Sequence, residues 1–193
     1  MANRAIPLPP DERRASIIAA TLPLLRRYGA SVTTAQIAMA AGVAEGTLFR
    51  AFPDKDAIVK ASIHAAFDPA PTEALFSAID PEAPLREQLI AAVEILQRRV
   101  QEVWQLISVL GLTPQAKDGP SRPTDALTRA RLSAIFEPHR AELRVEPAYA
   151  ARMLRMLTFG CSHPRITEDE PLTPAEIVAI LLDGIRIRPD LEG

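Results

Sequence analysis

The chain has 193 residues, 48% of them hydrophobic, and carries 22 Lys/Arg against 24 Asp/Glu for a formal charge of −2. One Trp, two Tyr and six Phe leave a mainly aliphatic core, and the abundance of Ala, Leu and Arg favours helices, so the expected class is all-α. No apolar run approaches a membrane span, no N-terminal segment has signal-peptide length, and Cys161, the only cysteine, excludes an internal disulfide, so a soluble cytoplasmic protein is expected.

Residues 1–9 read as an arm. A first helix is expected from Pro10 to about Tyr28, with Asp11 and Glu12 at its positive end, Ala15, Ile18, Leu22 and Leu25 inward, and Gly29 as its stop. Pro23 removes one backbone donor and should kink or divide this helix. Arg13, Arg14, Arg26 and Arg27 fall on solvated faces.

From Val32 to Lys60 the pattern is two short helices across a tight turn. Thr33 and Gln36 have capping-box spacing, and Ile37, Ala38 and Ala41 form an apolar stripe. Gly42 supplies the left-handed stop. A second helix runs from about Ala44 to Phe52 with Leu48 and Phe52 inward; Asp54 then caps a further helix to about Phe67, with Ile58 and Val59 turned to the core. Two such helices around a Gly-containing turn make a helix-turn-helix.

These residues carry a resemblance. Thr33-Thr34, Ile37-Ala38, Ala41-Gly42-Val43, Gly46-Thr47-Leu48-Phe49, Phe52 and Lys55 follow, without a gap, the DNA-binding pattern of the tetracycline-repressor (TetR) family, over about Asp11 to Ala61. The resemblance implies a three-helix DNA-binding head at 1–54 and a helical effector and dimerisation body at 55–193. It also implies a double-stranded DNA operator as partner; no cofactor is expected, and no metal, since the histidines lack ligand spacing. Ala44 stands where the family has a capping Ser/Thr, Phe49 where a tyrosine is common, and Ala51 where a polar contact is frequent.

Further along, prolines at 69 and 71 and at 81 and 84 bracket a short helical piece. Leu85, Leu89, Val93, Leu96, Val100, Val103, Ile107 and Leu110 recur at steps of three or four and predict a long central helix. Gly111 to Pro123, with three prolines and two glycines, reads as a loop. A helix over 126–136 should turn Leu127, Ala130, Ala134 and either Ile135 or Phe136 inward; another covers 147–159, and 160–172 is irregular. Thr173, Pro174 and Glu176 start the last helix, which should bury Ile177, Ile180, Leu181 and Ile185.

The N-terminal residues of a recognition helix meet base edges. Here these are Ala44, Glu45 and Thr47, with Phe49 and Arg50 one turn on. Arg50 can read guanine O6 and N7 or hold a phosphate; Glu45 can accept from a cytosine amino group or serve the helix dipole. Thr33, Thr34 and Lys55, at helix starts, fit phosphate clamps. Residues 1–60 hold eight Lys/Arg against five Asp/Glu, a mildly basic head on an acidic body.

In the body, Trp104, Ile107, Phe136, Met153 and Met156 can line a cavity for a small apolar or amphipathic effector, or form plain core. The helices at 147–159 and 174–186 are apolar around more of their circumference than one face can hold, which predicts a homodimer seam with Leu154, Leu157, Ile177, Leu181 and Ile185. An enzyme lacks candidates: Cys161 and His163 sit two apart in an irregular stretch, and His64, His139 and His163 have no zinc-ligand spacing. The alternative function is a helical interaction protein whose DNA-binding head is degenerate.

Overall fold

The computed structural model describes residues 9–111, 124–168 and 170–186, all of them helix, turn or connection apart from one isolated antiparallel bridge, Leu143 to Arg186. No helix among them is long and apolar enough to cross a membrane. The expected arm and loop, at 1–9 and 111–123, lie almost wholly outside the described residues.

The described residues divide into two compact units: 9–68 with 105–111, and 69–104 with the remainder from 124 on. The first holds α1 (Pro10–Tyr28), α2 (Thr34–Ala41), α3 (Glu45–Ala51) and α4 (Lys55–Ala66), with the end of α6 (Leu85–Leu110). A boundary after residue 54 would cut α4 from α1, on which it packs, and Ile58 from the core it shares with Ile17, Leu25, Ile37, Leu48 and Phe52.

α1 turns Ile17, Thr21 and Leu25 fully inward, with Ile18 and Leu22 at the margin; Ala15, expected inside, is exposed. The larger isoleucine sets the face, and a methyl at 15 is too small to compete. Of the two outcomes expected at Pro23, division does not occur: α1 runs unbroken through it. Pro23 and Ala19, whose carbonyl it leaves without a donor, are both exposed, so water can take that acceptor. Gly29 ends α1 at φ +56°, and a Cβ there would lie 2.8 Å from the Val109 carbonyl oxygen. Any side chain at 29 would meet both backbone strain and a backbone atom that cannot swing away.

The second unit holds α5 (Ala70–Ser77), the body of α6, α7 (Thr124–Phe136), a 3₁₀ stretch Glu137–Glu142, α8 (Pro147–Gly160), the short α9 (Pro164–Thr167) and α10 (Pro174–Ile185). α7 packs on α8 and α8 on α10, around Leu89, Val93, Leu96, Leu132, Phe136, Leu154, Ile177 and Leu181. Buried Gln97 donates to Ser162 Oγ (2.9 Å) and the Leu172 carbonyl (2.8 Å), so α6 fastens the segment between α8 and α10.

The register of α7 differs from the expected one. Thr128, Leu132 and Phe136 are buried, while Leu127, Ala130 and Ala134 are exposed. Phe136 is buried, one of the two expected alternatives at the end of the stripe; with it Leu132 takes the inward face in place of Leu127, Ala130 and Ala134. Near the end of α6, Leu106 rather than Ile107 is fully buried. Ile180 on α10, expected inside, is exposed.

Candidate nucleic-acid interface

The helix-turn-helix is built by local bonds. Thr33 Oγ1 accepts from the Gln36 N–H (3.2 Å) while the Thr33 N–H donates to Gln36 Oε1 (2.8 Å), a complete capping box on α2. At its other end Gly42 adopts φ +66°, ψ +30°; its N–H donates to the Met39 carbonyl (3.2 Å) and that of Val43 to the Ala38 carbonyl (3.0 Å). These are the paired bonds of a Schellman turn, which sends the chain into α3. Ala44 caps α3 with no side-chain bond. Asp54 Oδ1 accepts from the Ala57 N–H (2.7 Å), starting α4 where the sequence places it.

Leu48 anchors α3 and is completely buried, so its neighbours are divided by geometry: Glu45, Gly46, Phe49 and Arg50 face solvent and Thr47 is half-buried. Arg50 makes no hydrogen bond or ion pair among the described residues, and its guanidinium is open to an outside partner. The Thr34 hydroxyl donates to Glu45 Oε1, linking the starts of α2 and α3. Thr33 is occupied as a cap.

Lys55 does not sit as an open phosphate clamp. It is half-buried, and its Nζ donates to the carbonyls of Ala30 (3.2 Å) and Val32 (3.3 Å). The ammonium satisfies carbonyls that the 3₁₀ turn after α1 leaves without helical partners. Arg14, assigned to a solvated face from the sequence, holds α3 from behind: its guanidinium lies 4.1 Å from the Phe52 ring centroid and donates to the Ala51 carbonyl. A contact between residues 37 apart leaves no trace in local spacing.

In the second unit the expected effector residues are not gathered into one cavity. Phe136 is fully buried core, Met153 packs against that core, Met156 is 53% exposed, and Ile107 belongs to the first unit. The rings of Trp104 and His163 meet at a tilt (centroids 4.1 Å apart, 53° between planes), with the Arg165 guanidinium 5.2 Å from the Trp104 ring centroid. His163 also meets Phe159, and no hydrogen bond joins it to Cys161. Among the described residues no three His, Cys, Asp or Glu side chains are grouped to hold a metal. The expected seam residues Leu154, Ile177, Leu181 and Ile185 are buried inside the single chain, and Leu157 is half-buried.

Residues 17–62, the span of this helix-turn-helix and its supporting helices, match the model of the bacterial regulatory proteins, TetR family. The head of the chain is thus similar to the DNA-binding segment of the TetR family. That segment is the DNA-binding part of bacterial regulatory proteins, and the all-α fold of the described residues is the TetR fold. No curated protein matches the chain by sequence. Among solved structures, a TetR transcriptional regulator from Streptomyces coelicolor is 22% identical, with 90% of this chain and 98% of that one covered at a TM-score of 0.58. NalD of Pseudomonas aeruginosa, the secondary repressor of the MexAB-OprM multidrug efflux pump, is 19% identical (91% and 98% covered, TM-score 0.55). SmeT, in complex with triclosan, is 15% identical (92% and 93% covered, TM-score 0.61). At these identities the likeness is one of fold.

Proposed function

We propose that the protein is a cytoplasmic repressor that binds a palindromic operator as a homodimer and releases it when a small apolar or amphipathic molecule binds its body. The observation that carries the reading is the solvent-facing side of α3, where Arg50 has no partner among the described residues and Glu45 is held in place by Thr34. Arg50 reads a guanine edge bidentately, Glu45 accepts from a cytosine amino group, and Thr47, Phe49 and the exposed start of α3 at Ala44 complete the groove contact. The backbone N–H groups at the starts of α2 and α4 approach phosphates. That NalD is a repressor and that SmeT binds triclosan supports the repressor and effector parts of the reading.

The dimer seam lies on the outer faces of α8 and α10, within the segments expected from the sequence but on other residues. Tyr149, Met156 and Phe159 recur on one face of α8, and Ile180 stands on α10; each is about half exposed. These are large apolar side chains that the core leaves unused on α8 and α10, and a two-fold axis would pair each helix with its copy. Two heads then meet successive major grooves, about 34–36 Å apart or a multiple of that.

The test is a gel shift on DNA from upstream of the chain's own reading frame, with sedimentation of the complex. One discrete complex holding two protomers on an inverted repeat is expected. Uniform weak binding to any duplex would sink the proposal.

A further inference from the structure

We propose that Arg14 is a positioning residue for base readout: from α1 it sets the roll of α3 and, through it, the aim of Arg50. The proposal rests on the reading of α3 as the recognition helix. α3 has seven residues, about two turns, and Pro53 follows one residue after its end. Its closed anchors are Leu48 and Phe52, both buried in the core of the first unit. Two anchors do not by themselves stop a short helix from rolling about the line that joins them. A small roll leaves the core intact and swings the side chains on the open face. A bidentate guanine contact needs both N–H groups aligned, and hydrogen bonds weaken steeply once bent.

Each end of α3 carries one further tie. At its start the Thr34 hydroxyl donates to Glu45. At its other end the Arg14 guanidinium donates to the carbonyl of Ala51, the residue directly after Arg50, and lies 4.1 Å from the Phe52 ring centroid. The last carbonyls of a helix lack intrahelical donors and form the negative end of its dipole, so a cation is held there. One group thus grips both a backbone atom beside Arg50 and the ring that anchors the helix end. Arg14 is itself exposed. A solvated contact of this kind adds little to stability; what it fixes is direction.

Arg14→Met keeps the stem and removes the cation. Selection from randomised duplexes, then titration of the selected operator and of unrelated duplex at several salt concentrations, tests the role in the full chain. The operator-to-unrelated affinity ratio should fall about tenfold, the size of one lost base contact. Selection should blur at the pair that Arg50→Ala also blurs and stay sharp at the pair that Glu45 reads. Arg14→Lys keeps the charge without the planar fork, and should lose the same selectivity while binding unrelated duplex like the parent. A double-mutant cycle decides whether Arg14 acts through Arg50: in Arg50→Ala protein, Arg14→Met should add no further loss on the operator. Additive losses, parent-like selectivity in Arg14→Met or Arg14→Lys, or a uniform loss on both duplexes with a shallower salt slope would overturn the proposal, the last by marking Arg14 as a phosphate contact. Failure of the underlying reading shows separately, as a parent that does not discriminate or an Arg50→Ala protein that selects like the parent, and takes this proposal with it.

Discussion

The Thr34 hydroxyl donates to the Glu45 carboxylate across the helix-turn-helix, so the first turn of α2 fixes a side chain at the start of the recognition helix. One carboxylate oxygen is engaged and the other remains free to accept from a base. Preorganisation of this kind lowers the ordering cost of a contact.

Glu45→Ala should therefore relax selection at one cytosine position by about 1–3 kcal/mol. Thr34→Val should blur the same position, and Thr34→Ser should restore it. Selection from randomised operators reads this directly. If the three variants select the same sequence as the parent, Glu45 serves the helix dipole alone.

Lys55 should behave as a structural residue. Lys55→Ala removes two bonds from an ammonium to the Ala30 and Val32 carbonyls and should cost about 1 kcal/mol or somewhat more, because charged hydrogen bonds exceed neutral ones. The urea midpoint should fall while the salt dependence of DNA binding stays nearly parallel to the parent's. A shallower salt slope with unchanged stability would show that Lys55 contacts phosphate instead.

How much of this could be read from the sequence follows from the range of the interactions. Caps and stops are local: Thr33 with Gln36, Gly42, Asp54 with Ala57, and Thr173 with Glu176 all form where their spacing places them. The matched positions of the head made the TetR resemblance legible for the same reason, being contiguous. Faces are less local. α7 offers two competing stripes, and packing on α8 takes the one with Leu132 and Phe136. Long-range roles were hidden: neither the Arg14 contact to Ala51 and Phe52 nor the Lys55 contact to Ala30 and Val32 has a short-range signature. The proposed seam shifted from Leu154, Ile177, Leu181 and Ile185 to Tyr149, Met156, Phe159 and Ile180 because an all-round apolar helix does not reveal which side its own core takes.

That shift separates two kinds of variant. Met156→Glu or Ile180→Glu, at half-exposed positions, should give folded monomers with reduced operator affinity. Leu154→Glu or Leu181→Glu should unfold the body, since each places a charge in a closed core at a cost of several kcal/mol. Sedimentation and circular dichroism distinguish the outcomes. Monomeric parent protein at micromolar concentration would remove the dimer from the account.

The cap of α10 makes its stability acid-sensitive. The Thr173 hydroxyl, and secondarily the Thr173 N–H, hold the Glu176 carboxyl below its ordinary value of 4.5. A carboxyl lowered on folding contributes stability above its unfolded value and loses it as pH falls through the folded one. Glu176 should thus favour the folded state near neutrality and cease to do so in the acid range below 4.5. The gap in urea midpoint between parent and Glu176→Gln should close on acidification; a gap independent of pH would mean the carboxylate charge is not involved.

The central claim, that α3 reads DNA through its open face, is tested most directly by comparing Arg50→Ala with the parent on a selected operator and on unrelated duplex, at several salt concentrations. Arg50→Ala should lose about 1–3 kcal/mol on the operator and much less on unrelated DNA, with selectivity relaxed at one base pair. Equal losses on both would mark Arg50 as a phosphate contact. Unchanged affinity for both, or a parent that does not discriminate between them, would contradict the account.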